Sequence, residues 1–388
     1  MSRIDELLSR LCPEGVAFKT LGELGELVRG NGLPKVDFTE SGVGAIHYGQ
    51  IYTYYGTFTT RTLSHVAPDT AAKLAKVDPG DVIITNTSEN LEDVGKAVAW
   101  LGPEQIVTGG HATIFKHHQD PKFISYWLQS PSFQSQKKRL ASGTKVIDVS
   151  AKQLAVVRVP VPPLEVQREI VRILDTFSEL ETELGAELEA RRVQYEYYRH
   201  ALLTSVDSGA VKKTAIGELI KVRFGDRITK SGEAGFLYPV FGGGGESFRT
   251  DTYNREDDWL ISRFAMSQNC VRRVQGRFWL LDSGFTFDMR VSDVHKDFFG
   301  YMLLDMQPTI FATSTKSAQK NIDIEGFKRL EALVPPLKVQ REIVETLDTF
   351  DAMVNNLSEG LPAELRARRQ QYEYYRDRLL TFKELPGE

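Results

Sequence analysis

Cysteine, long apolar runs and surplus positive charge are all scarce in this 388-residue chain. Its two cysteines, Cys12 and Cys270, are far apart. A disulfide framework is therefore excluded, and the thiols point to a reducing, bacterial-type cytoplasm. No run approaches a membrane span, and M-S-R-I-D-E-L-L-S-R-L at the start lacks the apolar core of a signal peptide. The expectation is no leader and no membrane contact. With 48 basic against 52 acidic residues the net charge is −4, which does not advertise a nucleic-acid binder. Acidic residues are concentrated locally, however, at Glu179, Glu181, Glu183, Glu187 and Glu189, while Lys and Arg cluster elsewhere. A basic surface on those other segments stays open.

Catalytic signatures are missing too. There is no Asn/Asp-Pro-Pro-Tyr/Phe motif, no G-x-S-x-G and no Walker lysine, so no catalytic residue is assigned. Gly242 to Gly245 lack the Lys and Ser/Thr of a phosphate loop, and read as a turn allowing close backbone approach. His111, His117 and His118 lack the Cys or carboxylate spacing of a metal site, so no metal is expected. Pro68-Asp69 with Lys73 has Ala72 where a nuclease motif needs an acid, and reads as a loop.

What the chain does have is one stretch written twice. V-P-P-L-E-V-Q-R-E-I-V-R-I-L-D-T-F begins at Val161 and V-P-P-L-K-V-Q-R-E-I-V-E-T-L-D-T-F at Val334. Each is followed by A-R-R-x-Q-Y-E-Y-Y-R, from Ala190 and Ala367. Apolar residues at Val166, Ile170, Ile173, Phe177, Leu180 and Leu184 alternate steps of four and three, the seam of a long helix that needs a partner. After a stutter at Leu188 the rhythm resumes through Tyr195, Tyr198 and Leu202. The second copy carries four extra residues, since Pro162 to Pro335 is 173 but Tyr195 to Tyr372 is 177. The insertion lies in Ser358-Glu359-Gly360-Leu361-Pro362, where a break and restart with Pro362 in the first turn is expected.

Between the helical blocks lie two regions that share a plan but little sequence. Each opens on G-E-L after a Thr, near Thr20 and Thr214, alternates short apolar runs with glycines, then closes through S-G-T-K-V-I-D-V from Ser142 or T-K-S-A-Q-K-N-I-D-I from Thr315. Short strands are expected at Gly44, Gly80 and Lys96, and again at Tyr238, Asp258 and Arg277; helices are expected at Phe123 and Phe298. The expected fold is α+β: two mixed α/β domains separated by two long antiparallel helices in a coiled coil, with a pseudo-two-fold internal repeat. Its boundaries are 1–157, 158–206, 207–331 and 332–388. A duplicated frame holding two diverged modules suits a protein that reads two different things at a fixed separation, as DNA half-sites one or two helical turns apart would require.

P-P-L-x-V-Q-R-E-I-V at Pro162 and Pro335, G-T-K-V-I-D-V at Gly143 and both A-R-R-x-Q-Y-E-Y-Y-R blocks give the chain its family resemblance. It resembles the specificity subunit of type I restriction-modification systems along essentially its whole length. The resemblance implies target recognition domains in the variable regions, a bipartite double-stranded DNA site, and helices that space the domains and bind two modification (methyltransferase) subunits. Restriction (motor/nuclease) subunits are implied as further partners. This chain itself is expected to hold no cofactor, with S-adenosylmethionine, ATP and Mg on the partner subunits. T-E-L-G-A-E-L-E-A at Thr182 resembles the place where one branch of the family varies helix length in four-residue units.

Base-reading candidates are polar and basic residues on module loops. In the first module they are Tyr48, Gln50, Asn86, Ser88, Lys137, Lys138, Arg139, Thr144 and Lys145; in the second, Ser247, Arg249, Arg263, Gln268, Asn269, Arg272, Arg273, Lys316, Ser317 and Lys320. For each, a solvated loop charge is the competing reading. Partner candidates lie off the helical seam: Gln167, Arg168, Glu169, Tyr197 and Arg199, repeated as Gln340, Arg341, Glu342, Tyr374 and Arg376. A coiled-coil scaffold binding proteins through its mixed domains is the alternative, as is an enzyme with an unrecognised site.

Overall fold

A computed structural model describes residues 3–204, 211–264, 268–315, 320–355 and 360–386. The chain divides into two compact units, one formed by residues 1–183 with 366–388 and the other by 184–365. The helix Leu164–Thr204 runs 41 residues without interruption and contributes to both. No described helix is long and apolar enough to cross a membrane.

In the first unit a central sheet takes the order Gly25–Arg29, Ala112–His117, Val82–Thr85, Ala97–Trp100, Phe58–Thr59. Val82–Thr85 and Ala97–Trp100 are buried along their full length, which is why they read as unbroken apolar runs. A second five-stranded sheet, Phe38–Thr39, Ser64–Val66, Val43–Ile46, Ile106–Thr108, Ala75–Val77, carries its own small core around Ala45, Val66 and Val107. Helices start where side chains satisfy the first free amides: Asp120 caps Pro121–Trp127 and Ser130 caps Pro131–Leu140, each with proline in the first turn. Two expectations are corrected here. Tyr48–Thr53 is a helix capped by His47 rather than a continuation of the strand, and Pro68–Lys73 is a short helix rather than a loop.

The second unit has a six-stranded sheet, Ile220–Phe224, Gly284–Met289, Arg255–Ser262, Val271–Leu280, Tyr238–Phe241, Glu246–Thr250. Its first four strands follow the order of the first unit's central sheet. The helix Lys296–Asp305 lies against Trp259, closely enough that Gly300 is required: a Cβ there would sit 2.1 Å from the indole. Each module is also closed by one antiparallel pair, Phe18–Thr20 with Arg158–Pro160 and Lys212–Ala215 with Glu331–Val334.

The long helix has two kinds of buried face. Val166, Ile170, Val171 and Leu174 are buried in the first unit's core, a face broader than the seam read from the sequence. Phe177 instead stacks on Tyr375 at 5.4 Å and Glu181 pairs with Arg369 at 2.6 Å, so the helix Gly360–Leu379 runs antiparallel to it. In the second unit Tyr198 stacks on Phe350 at 5.8 Å and the Tyr195 hydroxyl donates to Asp351, both on the helix Leu337–Asn355. Leu180 is 38% exposed, against its seam assignment. In the second repeat the described helices are Leu337–Asn355 and Gly360–Leu379, and Gly360 has a φ of +69°, which suits glycine. Of the insertion, Ser358 and Glu359 lie outside the described residues.

Candidate nucleic-acid interface

In both units the segment leaving one central strand is crossed by the loop that leads into the closing helix. The Val149 amide donates to Asn86 O at 2.8 Å in the first, and the Ile322 amide to Arg263 O at 2.9 Å in the second. This shared crossing brings distant candidates together.

In the first unit Ser88 pairs with Ile147, and between them Gly143, at φ +107°, lets the loop turn so that Thr144 and Lys145 are exposed. Beside it the Tyr52 hydroxyl donates to Thr87 O at 2.5 Å, and Thr87 Oγ1 meets His111 Nδ1 at 3.0 Å. The Tyr48 ring lies 4.8 Å from that of His111. Tyr48, Thr87, Ser88, His111 and the 143–147 loop thus form one neighbourhood with aromatic, hydroxyl and cationic groups. His111 was passed over in the sequence, because nothing local announces that Gly109-Gly110 carries it to Tyr48.

Other first-module candidates are structural. Asn86 is 1% exposed; its amide donates to Val149 O at 2.7 Å and its carbonyl accepts from Thr113 at 3.0 Å, latching the crossing. Lys137 is corrected from a loop cation to a buried strut: it is 1% exposed, and Nζ donates to Glu92 O at 3.1 Å and Val94 O at 2.8 Å. Burial pushes its pKa down to about 8. Gln50 is half-buried, its side-chain oxygen accepting from the His47 amide and its nitrogen donating to Ser64 Oγ. Lys138 is exposed, while Arg139 lines a cavity of about 670 Å³ with Phe18, Trp127 and Arg158.

In the second unit Arg263 is exposed, its guanidinium 5.8 Å from the Phe224 ring and 5.9 Å from that of Phe264. Phe264 is bridged to Asn321, and Gly243 packs against Phe264, so the glycine run lies against this crossing as a close-approach turn. Gln268 and Asn269 are exposed nearby in sequence. Arg272 is half-buried with its pKa lowered by burial. Lys320 is exposed, 4.9 Å above the Phe311 ring. Ser247 donates to Val240 O, and Arg249 is held by Glu246 and Leu237 O. Arg273 is corrected: it is committed to Asp348 at 2.5 Å and the Tyr301 hydroxyl at 3.1 Å. Lys316 and Ser317 lie outside the described residues.

The helical candidates separate in the same way. Arg168, Arg341 and Glu342 are exposed, as are Tyr197 (70%) and Tyr374 (59%), equivalent positions of the repeat. Gln167 and Gln340 are both 0% exposed, a correction to their placement on an outward face. Glu169 is buried with Arg172 at 2.8 Å, whose hydrogen bond lowers its pKa; Arg199 pairs with Asp305 and Arg376 with Asp377. No group of His, Cys, Asp or Glu able to hold a metal occurs among the described residues.

The model of the type I restriction modification DNA specificity domain matches this chain twice, over residues 13–190 and 212–367. The chain belongs to that family. The family is the DNA-specificity component of the restriction enzyme, separate from its catalytic parts, and its recognition domains are the two modules described above. Among curated relatives, the EcoR124I/EcoR124II specificity subunit of Escherichia coli is 30% identical over 295 residues, covering 67% of this chain and 70% of that one. A putative type I specificity subunit of Haemophilus influenzae is 27% identical over 300 residues, 70% of this chain and 75% of that one. The fold is similar to a chain of a type I R-M system solved for its complex assembly (TM-score 0.62, 18% identity, 95% and 98% covered). It is also similar to the S subunit of M. genitalium (TM-score 0.59, 16% identity, 94% and 96% covered).

Proposed function

We propose that each recognition domain of this specificity subunit reads one half of a bipartite double-stranded DNA site through its crossed loops. The observation that carries this is the crossing itself, built alike in two otherwise diverged modules. It exposes Thr144 and Lys145 near the half-buried Tyr48 in one and Arg263 beside two aromatic rings in the other. Such side chains match what DNA requires: cations for phosphate, polar tips for base edges, rings for stacking. The paired helices dock two modification subunits, with the repeated Tyr197 and Tyr374 as anchors, and restriction subunits join through these. Adenine methylation and ATP-dependent cleavage are partner chemistry, with S-adenosylmethionine, ATP and Mg bound there, and base flipping is done by the partners. The complex works in the cytoplasm. The spacer helix then measures the gap between half-sites.

The test is the methylome of a host lacking its own adenine methylation, expressing this chain with its modification subunit. A bipartite motif with one fixed gap that vanishes without this chain supports the reading. Co-purification without any motif favours the scaffold, which also predicts binding with little dependence on salt.

A further inference from the structure

The duplicated helical block plants a glutamine and an aspartate eight residues apart in each repeat, Gln167 with Asp175 and Gln340 with Asp348. Both pairs grip the same feature of their own module. Gln167 accepts the Asp120 amide at 3.0 Å while donating to Gln119 and to Pro162 O, each at 2.8 Å. Gln340 accepts the His295 amide at 2.7 Å while donating to Asp293 O at 3.0 Å and Pro335 O at 2.7 Å. Asp120 and His295 are the N-cap residues of the helices Pro121–Trp127 and Lys296–Asp305. Six residues beyond each cap stands a tyrosine whose hydroxyl donates to the aspartate: Tyr126 to Asp175 at 2.9 Å and Tyr301 to Asp348 at 2.6 Å.

A cation completes each aspartate, but from different places. Lys122 on the module helix reaches Asp175 at 2.7 Å, whereas Arg273 on the strand Val271–Leu280 reaches Asp348 at 2.5 Å. The same chemistry supplied from unrelated positions, in modules that have otherwise diverged, indicates a requirement on the contact itself. Apolar burial along Val166, Ile170 and Leu174 holds helix and module together but is non-directional. Hydrogen bonds have narrow geometry, and two at different levels of a helix fix rotation as well as position.

We propose that Gln167 with Asp175, and Gln340 with Asp348, are positioning residues: two pins that set the rotation of each recognition domain on its helix and hence the single gap at which half-sites are read. The consequence for the gap rests on the function proposed above; the pinning does not.

The test uses the full chain carrying Gln167→Leu with Tyr126→Phe, and separately Tyr126→Phe alone as a milder variant should the double one fold poorly. Ile170→Val, a core change on the same helix, is the control. Two readouts are taken: the methylome with the modification subunit, and the distance between spin labels introduced bio-orthogonally at Ala72 and Glu179. Pin variants are expected to keep both half-site sequences, to add sites whose gap is one base pair longer or shorter, and to broaden the label distances. The Ile170→Val chain is expected to keep one gap and a narrow distribution. A narrow distribution in the pin variants overturns the pinning, and one unchanged gap despite a broadened distribution overturns its role in specificity. Broadened distances with no bipartite motif, even for the unsubstituted chain, leave the pins standing and remove the DNA reading.

Discussion

Lys137 and Lys138 are adjacent on the helix Pro131–Leu140 but are opposite in environment, which makes their substitution a sharp test. The buried Lys137 amine, with its pKa near 8, faces two carbonyls that a neutral amine with two N–H groups satisfies. Unfolded lysine titrates near 10.4, so between the two values the unfolded chain binds more protons and stability rises with pH. From about pH 7 to about pH 9.5 this linkage amounts to about 2 kcal/mol. Lys137→Met keeps the stem and removes the titration, so the native chain should gain about 2 kcal/mol on the variant over that interval. Urea denaturation at the two pH values, with 5-fluorotryptophan signals of Trp100 and Trp127 reporting the first unit, measures the difference. Lys137→Met should leave the salt dependence of DNA binding unchanged, whereas Lys138→Ala, if Lys138 contacts a phosphate, should lower the log–log slope by about 0.9. A stability gap independent of pH, or a lowered salt slope in Lys137→Met, would refute the assignment of Lys137 as a buried strut whose amine loses its proton at lower pH than in the unfolded chain.

Three further outcomes are expected. Deleting Gly185-Ala186-Glu187-Leu188 shortens a straight helix by about 6 Å, so the gap in the methylome should contract by about one or two base pairs with both half-sites intact; altered half-sites would defeat the ruler. Tyr197→Ala and Tyr374→Ala should each weaken capture of the modification subunit by about 10-fold or more in calorimetry, with unfolding midpoints unchanged, because both rings are exposed. Gly300→Ala drives a methyl group into the Trp259 indole and should destabilise the second unit by at least about 1–3 kcal/mol, read from the Trp259 signal on denaturation.

The repeated blocks and their helices were legible because helical periodicity is local and the duplication is written out twice. The sheet order was not: the pairing of Ala112–His117 between Gly25–Arg29 and Val82–Thr85 depends on contacts distant in sequence. The polar misreadings have the same origin. Asn86, Lys137, Gln167, Arg273 and Gln340 are ordinary surface residue types, buried or, for Arg273, half-buried only because a carbonyl, amide or carboxylate from elsewhere meets them. Thr144, Lys145 and Arg263 are exposed, where a polar side chain needs no partner from a distant part of the chain.

The first unit is assembled from two separated stretches of chain, 1–183 and 366–388. Phe177, Glu181 and the core around Leu174 receive Tyr375, Arg369 and Leu380 only from the later stretch. During synthesis, at roughly 5–20 residues per second, the later stretch follows after roughly ten to forty seconds. The intervening residues 184–365 already form a complete unit of their own. The order of maturation is thus inverted relative to the order of translation: the second module can finish while the first still shows an uncovered apolar stripe. A ribosome that stops short of Arg366 leaves a product whose earliest-made part is its least finished, and that stripe is what a chaperone or protease would meet.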